Sequence, residues 1–131
     1  MTPLTKEWVR KAEADWLHAK QTAESALSQR VTFHDIVGFH CQQSAEKYFK
    51  ALLQESALIV PRIHDLVQLV DLLRPVDATL VALRRAMRSL TQFAVEFRYP
   101  KRNSTKRQAQ AALRHAEKVR AAIRQRLGLP I

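Results

Sequence analysis

The sequence predicts an all-α protein, a compact up-and-down bundle of about five helices, and three observations carry that expectation. Only two of the 131 residues are glycine and five are proline, too few for a chain of tight hairpins. The good helix formers Ala, Leu, Gln, Arg and Lys are abundant. Apolar residues recur at three- and four-residue spacing through long stretches. With 47% hydrophobic residues, the length suits one domain over residues 1–131 with its own core.

The first helix is expected from about residue 4 to 28, where Trp8, Ala12, Trp16, Ala19, Ala23, Ala26 and Leu27 share one face. Asp15 lies at the edge of that stripe and so needs a partner. A second helix, about 34 to 55, buries Cys41, Ala45, Tyr48, Phe49 and Leu52, with His40, Gln43, Glu46, Lys47 and Lys50 on the opposite arc. Gln42 falls among apolar positions, which demands an internal hydrogen bond or a subunit contact. Pro61 interrupts the pattern and biases Val60 towards extended geometry. Asp65, followed by Gln68, resembles the cap of a short helix over about 65 to 74, closed by Pro75.

A helix over about 77 to 98 presents Leu80, Leu83, Ala86, Met87, Leu90, Phe93, Ala94 and Phe97 as a broad apolar face, with Arg84, Arg88 and Arg98 along one margin. Pro100 stops it and "KRNST" is a polar connector. The last helix, about 105 to 127, uses Ala109, Ala112, Ala116, Val119, Ile123 and Leu127, and ends at Gly128 and Pro130. Arg120 interrupts its apolar stripe and must snorkel, pair with an acid or meet another subunit. No internal repeat or low-complexity tract is present.

The net charge of +10 is unevenly placed: residues 98–131 hold ten basic side chains and one acid, Glu117, whereas residues 1–97 hold 12 basic and 11 acidic. Such a field favours phosphates, nucleic acid, an anionic surface or an acidic partner, and is equally the mark of a solvated cationic helix. Cys41 is the single cysteine, so no intrachain disulfide forms, and with no secretory-type opening segment a reducing cytoplasm is expected. No apolar run approaches the ~20 residues that span a bilayer, so no membrane partner is expected.

"FHCQQSAEKYFKALL", then "HDL" at 64–66, then "FRYP" at 97–100 before a final amphipathic helix, resembles the HEPN domain family over roughly residues 6 to 127. The resemblance implies a bundle of about five helices, a homodimer, and a minimal nucleotidyltransferase partner in a toxin-antitoxin-like or defence module. Many members are metal-independent RNases whose motif is an arginine, a spacer of about four to six residues and a histidine; others bind nucleotides or RNA. This chain departs from that motif: the first histidine after Arg98 is His115, 17 positions on, while Arg30 and Arg62 reach His34 and His64 too soon.

Arg98 is therefore the first candidate for a phosphate ligand, because a guanidinium offers a planar fork of donors and keeps its charge. The alternative is an arginine that merely meets the carbonyl end of its helix. Tyr99, Lys47, Lys50, Arg88, Lys101 and Arg102 complete the candidate phosphate-binding set, and His40 or His64 is the candidate base if RNA is cleaved. The leading expectation is nucleotide or RNA phosphate binding; the alternatives are a metal-independent endoribonuclease and a non-catalytic assembly subunit. Histidines 18, 34, 40, 64 and 115 contain no i,i+4 pair, and no glycine-rich phosphate loop exists, so neither metal nor cofactor is expected.

Overall fold

Thr2 opens the first helix by accepting a hydrogen bond from the Thr5 amide, with Pro3 at the first helical position where its missing N–H costs nothing. The computed structural model describes residues 1–25 and 29–131. Within them lie α1 (Pro3–Glu24), α2 (Val31–Glu55), α3 (Leu66–Leu72), α4 (Arg84–Val95) and α5 (Lys106–Arg126), and no strand. Ala26, Leu27 and Ser28, which the sequence pattern puts at the end of the first helix, lie outside the described residues.

The single helix expected over 77 to 98 is instead three pieces: a 3-10 turn at Ala78–Leu83, α4, and a 3-10 turn at Glu96–Arg98. Asp77 caps the first turn through the Thr79 amide, and at Val95 the backbone leaves helical values, with φ −123° and ψ −68°. The other boundaries follow local chemistry. Asp65 accepts from the amides of Val67 and Gln68 at the start of α3. Thr105 and Gln108 form a reciprocal capping box at the start of α5. Gly128, at φ +73°, closes α5 as Leu129 N donates to the Arg124 carbonyl and Gly128 N to that of Gln125.

Cross-links fix the helix directions. Glu55 accepts from Thr5 Oγ1 and Asp15 meets His40, so α1 and α2 are antiparallel. Asp35 binds Ser104 and Tyr48 meets Arg124, so α5 runs parallel to α2. Asp77, ahead of α4, binds Arg126 at the end of α5, whereas Phe93 and Arg98 at the far end of the same segment meet Gly38 and Phe39 near the start of α2, so α4 runs antiparallel to both. The four long helices therefore alternate, with short α3 tucked between α2 and α4. The core joins Trp16, Phe49, Leu53, Leu69, Met87 and Ile123, and Ala12, Ala19, Ala45, Ala112 and Ala116 let the backbones approach. Among the described residues, no helix is long and apolar enough to cross a membrane.

Two backbone positions generate predictions. A Cβ on Gly38 would sit 1.9 Å from a ring carbon of buried Phe93. Gly38→Ala is expected to cost about 3 kcal/mol in urea unfolding, and Phe93→Leu in the same chain to recover part of it. Ala57 holds φ +57° just past α2, where its amide and that of Leu58 satisfy the carbonyls of Gln54 and Leu53. Ala57→Gly is expected to stabilise by about 0.5 kcal/mol, the relief of left-handed strain exceeding the entropy that glycine adds to the unfolded chain.

Candidate functional site

Arg98 ends the 3-10 turn that follows α4 and is exposed to solvent. Its guanidinium carbon lies 5.0 Å from the centre of the Phe39 ring on α2, a cation–π stack that fixes the fork without using its N–H donors. Among the described residues no acid pairs with it. The chain then turns at once. Pro100 occupies the second position and Lys101, at φ +69°, the third, with Arg102 N donating to the Tyr99 carbonyl at 3.2 Å, the pattern of a type II turn. The far end of the connector is pinned where Asp35 Oδ1 accepts from the amide and hydroxyl of buried Ser104.

Arg98 divides two open cavities. One, about 270 Å³, is lined by Asp35, Ile36, Phe39, His40, Phe97 and Arg98; the other, about 320 Å³, by Ala94, Val95, Arg98 and Tyr99. The structure thus brings Arg98, Tyr99 and His40 of the sequence candidates to one place. His40 is held rigidly there. Its Nδ1 lies 2.9 Å from Asp15 Oδ1, and its ring stacks on His18 with centroids 4.2 Å apart and planes 14° from parallel. A carboxylate only accepts, so Nδ1 carries a proton, and in the neutral form of the ring it is Nε2 that has the lone pair. Lys47 donates to the other oxygen of Asp15, which makes it a structural partner of the carboxylate.

The remaining candidates do not converge on this place. Lys50, only 6% exposed at the side chain, donates to Glu46, itself 5% exposed, and lies over the Trp8 ring. The arc opposite the α2 stripe is therefore interior at these two positions, because Trp8 and the segment carrying His64 cover it. His64 is 71% exposed and binds Glu46 through Nδ1 at 3.0 Å, but lines neither cavity beside Arg98. Arg88 and Lys101 are exposed and outside both cavities, and Arg102 sits 3.6 Å from Glu96. Sequence reasoning did not single out His18, Phe39 or Asp35. His18, one helical turn beyond Asp15, meets His40 only after α1 and α2 pair.

Three other polar misfits of the sequence are resolved as structural pairs. Asp15 is bound by His40 and Lys47. Gln42 is buried, donating to Glu46 and to the His64 carbonyl at 3.2 Å each. Arg120 forks onto Glu13, which also accepts from Tyr48. Burial pushes the Glu13 carboxyl up, but Arg120, Tyr48 and the Arg124 charge outweigh it and hold it below the usual value. Burial, then Glu13, pushes the Tyr48 phenol up to about 12, and burial pushes the Cys41 thiol up as well. Of the ten basic residues in the last quarter, Arg120, Arg124 and Arg126 are thus committed to Glu13, Tyr48 and Asp77. Arg98, Lys106, Arg107, Arg114 and Lys118 form no ion pair among the described residues. No group of three or more His, Cys, Asp or Glu among the described residues is arranged to hold a metal ion.

Asp15 gives a pH signature. Burial raises its carboxyl, yet the hydrogen bonds from His40 and Lys47 win and hold it below the ordinary 3.8. A depressed folded-state value contributes stability that is complete above 3.8 and is lost as pH falls through the lower folded-state value. Asp15→Asn is therefore expected to cost about 2 kcal/mol at neutral pH, the gap to the native protein closing in acid, as checked by urea melts at both ends of the range.

A sequence model of the HEPN domain family matches residues 5–126. No curated protein and no solved structure matches the chain.

Proposed function

Because the chain belongs to the HEPN domain family, whose functions are nucleotide- or RNA-related, we propose that it binds nucleotide or RNA phosphate at Arg98. One observation carries this reading: Arg98 is a guanidinium oriented by a ring stack, opening on two cavities and pairing with no acid among the described residues. An arginine serving only its own fold resembles Arg84 on Asp71 or Arg120 on Glu13, with the fork spent on a carboxylate. A free, oriented fork is the donor set that a phosphate accepts from. HEPN domains commonly dimerise, and the homodimer, the nucleotidyltransferase partner and the toxin-antitoxin-like or defence role rest on the family likeness alone.

A second reading, a metal-independent endoribonuclease, is favoured by His40. Its basic Nε2 and the Arg98 fork border one cavity, the base and the charge stabiliser that attack by a ribose 2′-hydroxyl requires. In that reaction His40 takes the 2′-hydroxyl proton, O2′ bonds to phosphorus, and the P–O5′ bond breaks, the leaving oxygen taking a proton from water. Arg98 meets the charge that builds on the phosphoryl oxygens.

Anisotropy titrations of labelled single-stranded RNA in EDTA test both readings. Native protein is expected to bind with affinity that falls as salt rises, by a log–log slope of about −0.7 for each phosphate neutralised. Arg98→Ala is expected to lose about tenfold at low salt, and unchanged binding in that variant sinks the phosphate reading. Cleavage by the native protein that is lost in both Arg98→Ala and His40→Ala supports the ribonuclease; RNA left intact by the native protein leaves binding alone.

A further inference from the structure

We infer that the Arg98 site takes a single-stranded dinucleotide step, with its phosphodiester on the guanidinium and one base in each flanking cavity. The inference rests on the phosphate reading above and names the ligand that fits it. Among the described residues Arg98 is the only lysine or arginine lining either cavity, so the place suits one phosphate and offers no second such side chain for another. A pyrophosphate or triphosphate chain would also run towards Asp35, whose carboxylate lines the cavity on the Phe39 side and repels anions.

What flanks Arg98 is instead suited to neutral, flat, partly apolar groups. On one side stand Ile36, Phe39, Phe97 and the His40 ring, with Asp35 able to accept from a base N–H. On the other, Tyr99 is 65% exposed and Val95 59%, a ring and an aliphatic side chain left in water beside the cation. The turn through Pro100 and Lys101 and the Asp35–Ser104 link hold the Tyr99 backbone in place, so only the side chain is ordered when a base stacks on it. Cavities of about 320 and 270 Å³ far exceed the ~30 Å³ share of a water. Exposed aromatic faces beside an arginine are how single strands are held without sequence preference.

Charge and shape predict opposite affinity orders, which makes the inference testable. A dinucleoside monophosphate such as ApA carries one negative charge, whereas AMP and inorganic phosphate carry about 1.5 to 2 at neutral pH. If charge alone decided, AMP would bind better. The two-base site predicts ApA tighter than AMP by about tenfold, and AMP tighter than phosphate, in calorimetric or NMR titrations at fixed low salt. Tyr99→Ala is expected to remove most of the ApA advantage while Tyr99→Phe keeps it. Both changes fall on an exposed side chain, so the fold, checked by circular dichroism and melting, is expected to stand. ApA binding no better than AMP, or an ApA preference untouched in Tyr99→Ala, overturns the two-base site and leaves the phosphate site intact. If none of the three ligands binds, or Arg98→Ala binds them all like the native protein, the phosphate reading falls and this inference falls with it.

Discussion

Helix α2 is covered on nearly every side, and the fold depends on how that is made tolerable. Against it pack α1, α5, α3 and α4, so its stripe of Cys41, Ala45, Tyr48, Phe49 and Leu52 is only part of its buried surface. Polar side chains lie there too: Gln42, Ser44, Glu46 and Lys50 are interior. Unpaired charges there would cost several kcal/mol each, about the whole margin by which a small domain is stable. Glu46 is satisfied by Lys50, His64 and Gln42, and Gln43 in turn donates to Gln42. This chain of contacts ties α2 to the extended segment before α3, and the Glu13 and Asp15 pairs tie it to α1 and α5. Pairing of this kind sets the register of the helices as much as it stabilises them.

The same constraint decides which cations remain for a ligand. The cationic last quarter looks uniform as a string of charges, yet α5 spends Arg120, Arg124 and Arg126 inward on Glu13, Tyr48 and Asp77. Arg98 pairs with no acid among the described residues and lies over the Phe39 ring. An aromatic face orients a guanidinium without consuming its donors, whereas a carboxylate consumes two at once. Orientation with the donors left open is what the proposed phosphate reading of Arg98 rests on, and neither net charge nor exposure alone captures it.

Helix count, order and core were legible in the sequence because each long helix has one apolar stripe of the right period, and the misfits on those stripes were legible too. Asp15, Gln42 and Arg120 each looked out of place and each proved to have a partner. The break of the fourth helix at Val95 was not legible, since the apolar spacing runs on through Phe97 while the backbone does not. Glu46 and Lys50 were misleading for a different reason. As an i,i+4 pair on the far arc of an amphipathic helix they have the pattern of a solvated face, and only the packing of Trp8 and of the segment around His64 buries them. Arg98 stood out through its place before Pro100, but Phe39 and His18 carry no local mark, because their neighbours come from other helices.

The family's ribonuclease motif places its arginine and histidine a few residues apart, and by that measure this chain has lost the histidine. Chemistry, however, depends on where atoms meet rather than on how far apart they lie in sequence, and the same catalytic constellation recurs in different chain orders. Two histidines here are prepared alike, His40 by Asp15 and His64 by Glu46, each with Nδ1 committed and Nε2 free. Only His40 shares a cavity with Arg98. His64, equally well held, stands apart from the free guanidinium and so lacks the second half of the reaction. If any histidine of this chain serves a phosphate on Arg98, the choice falls on His40, because α2 brings it to a cavity that Arg98 also lines and Asp15 holds its Nδ1.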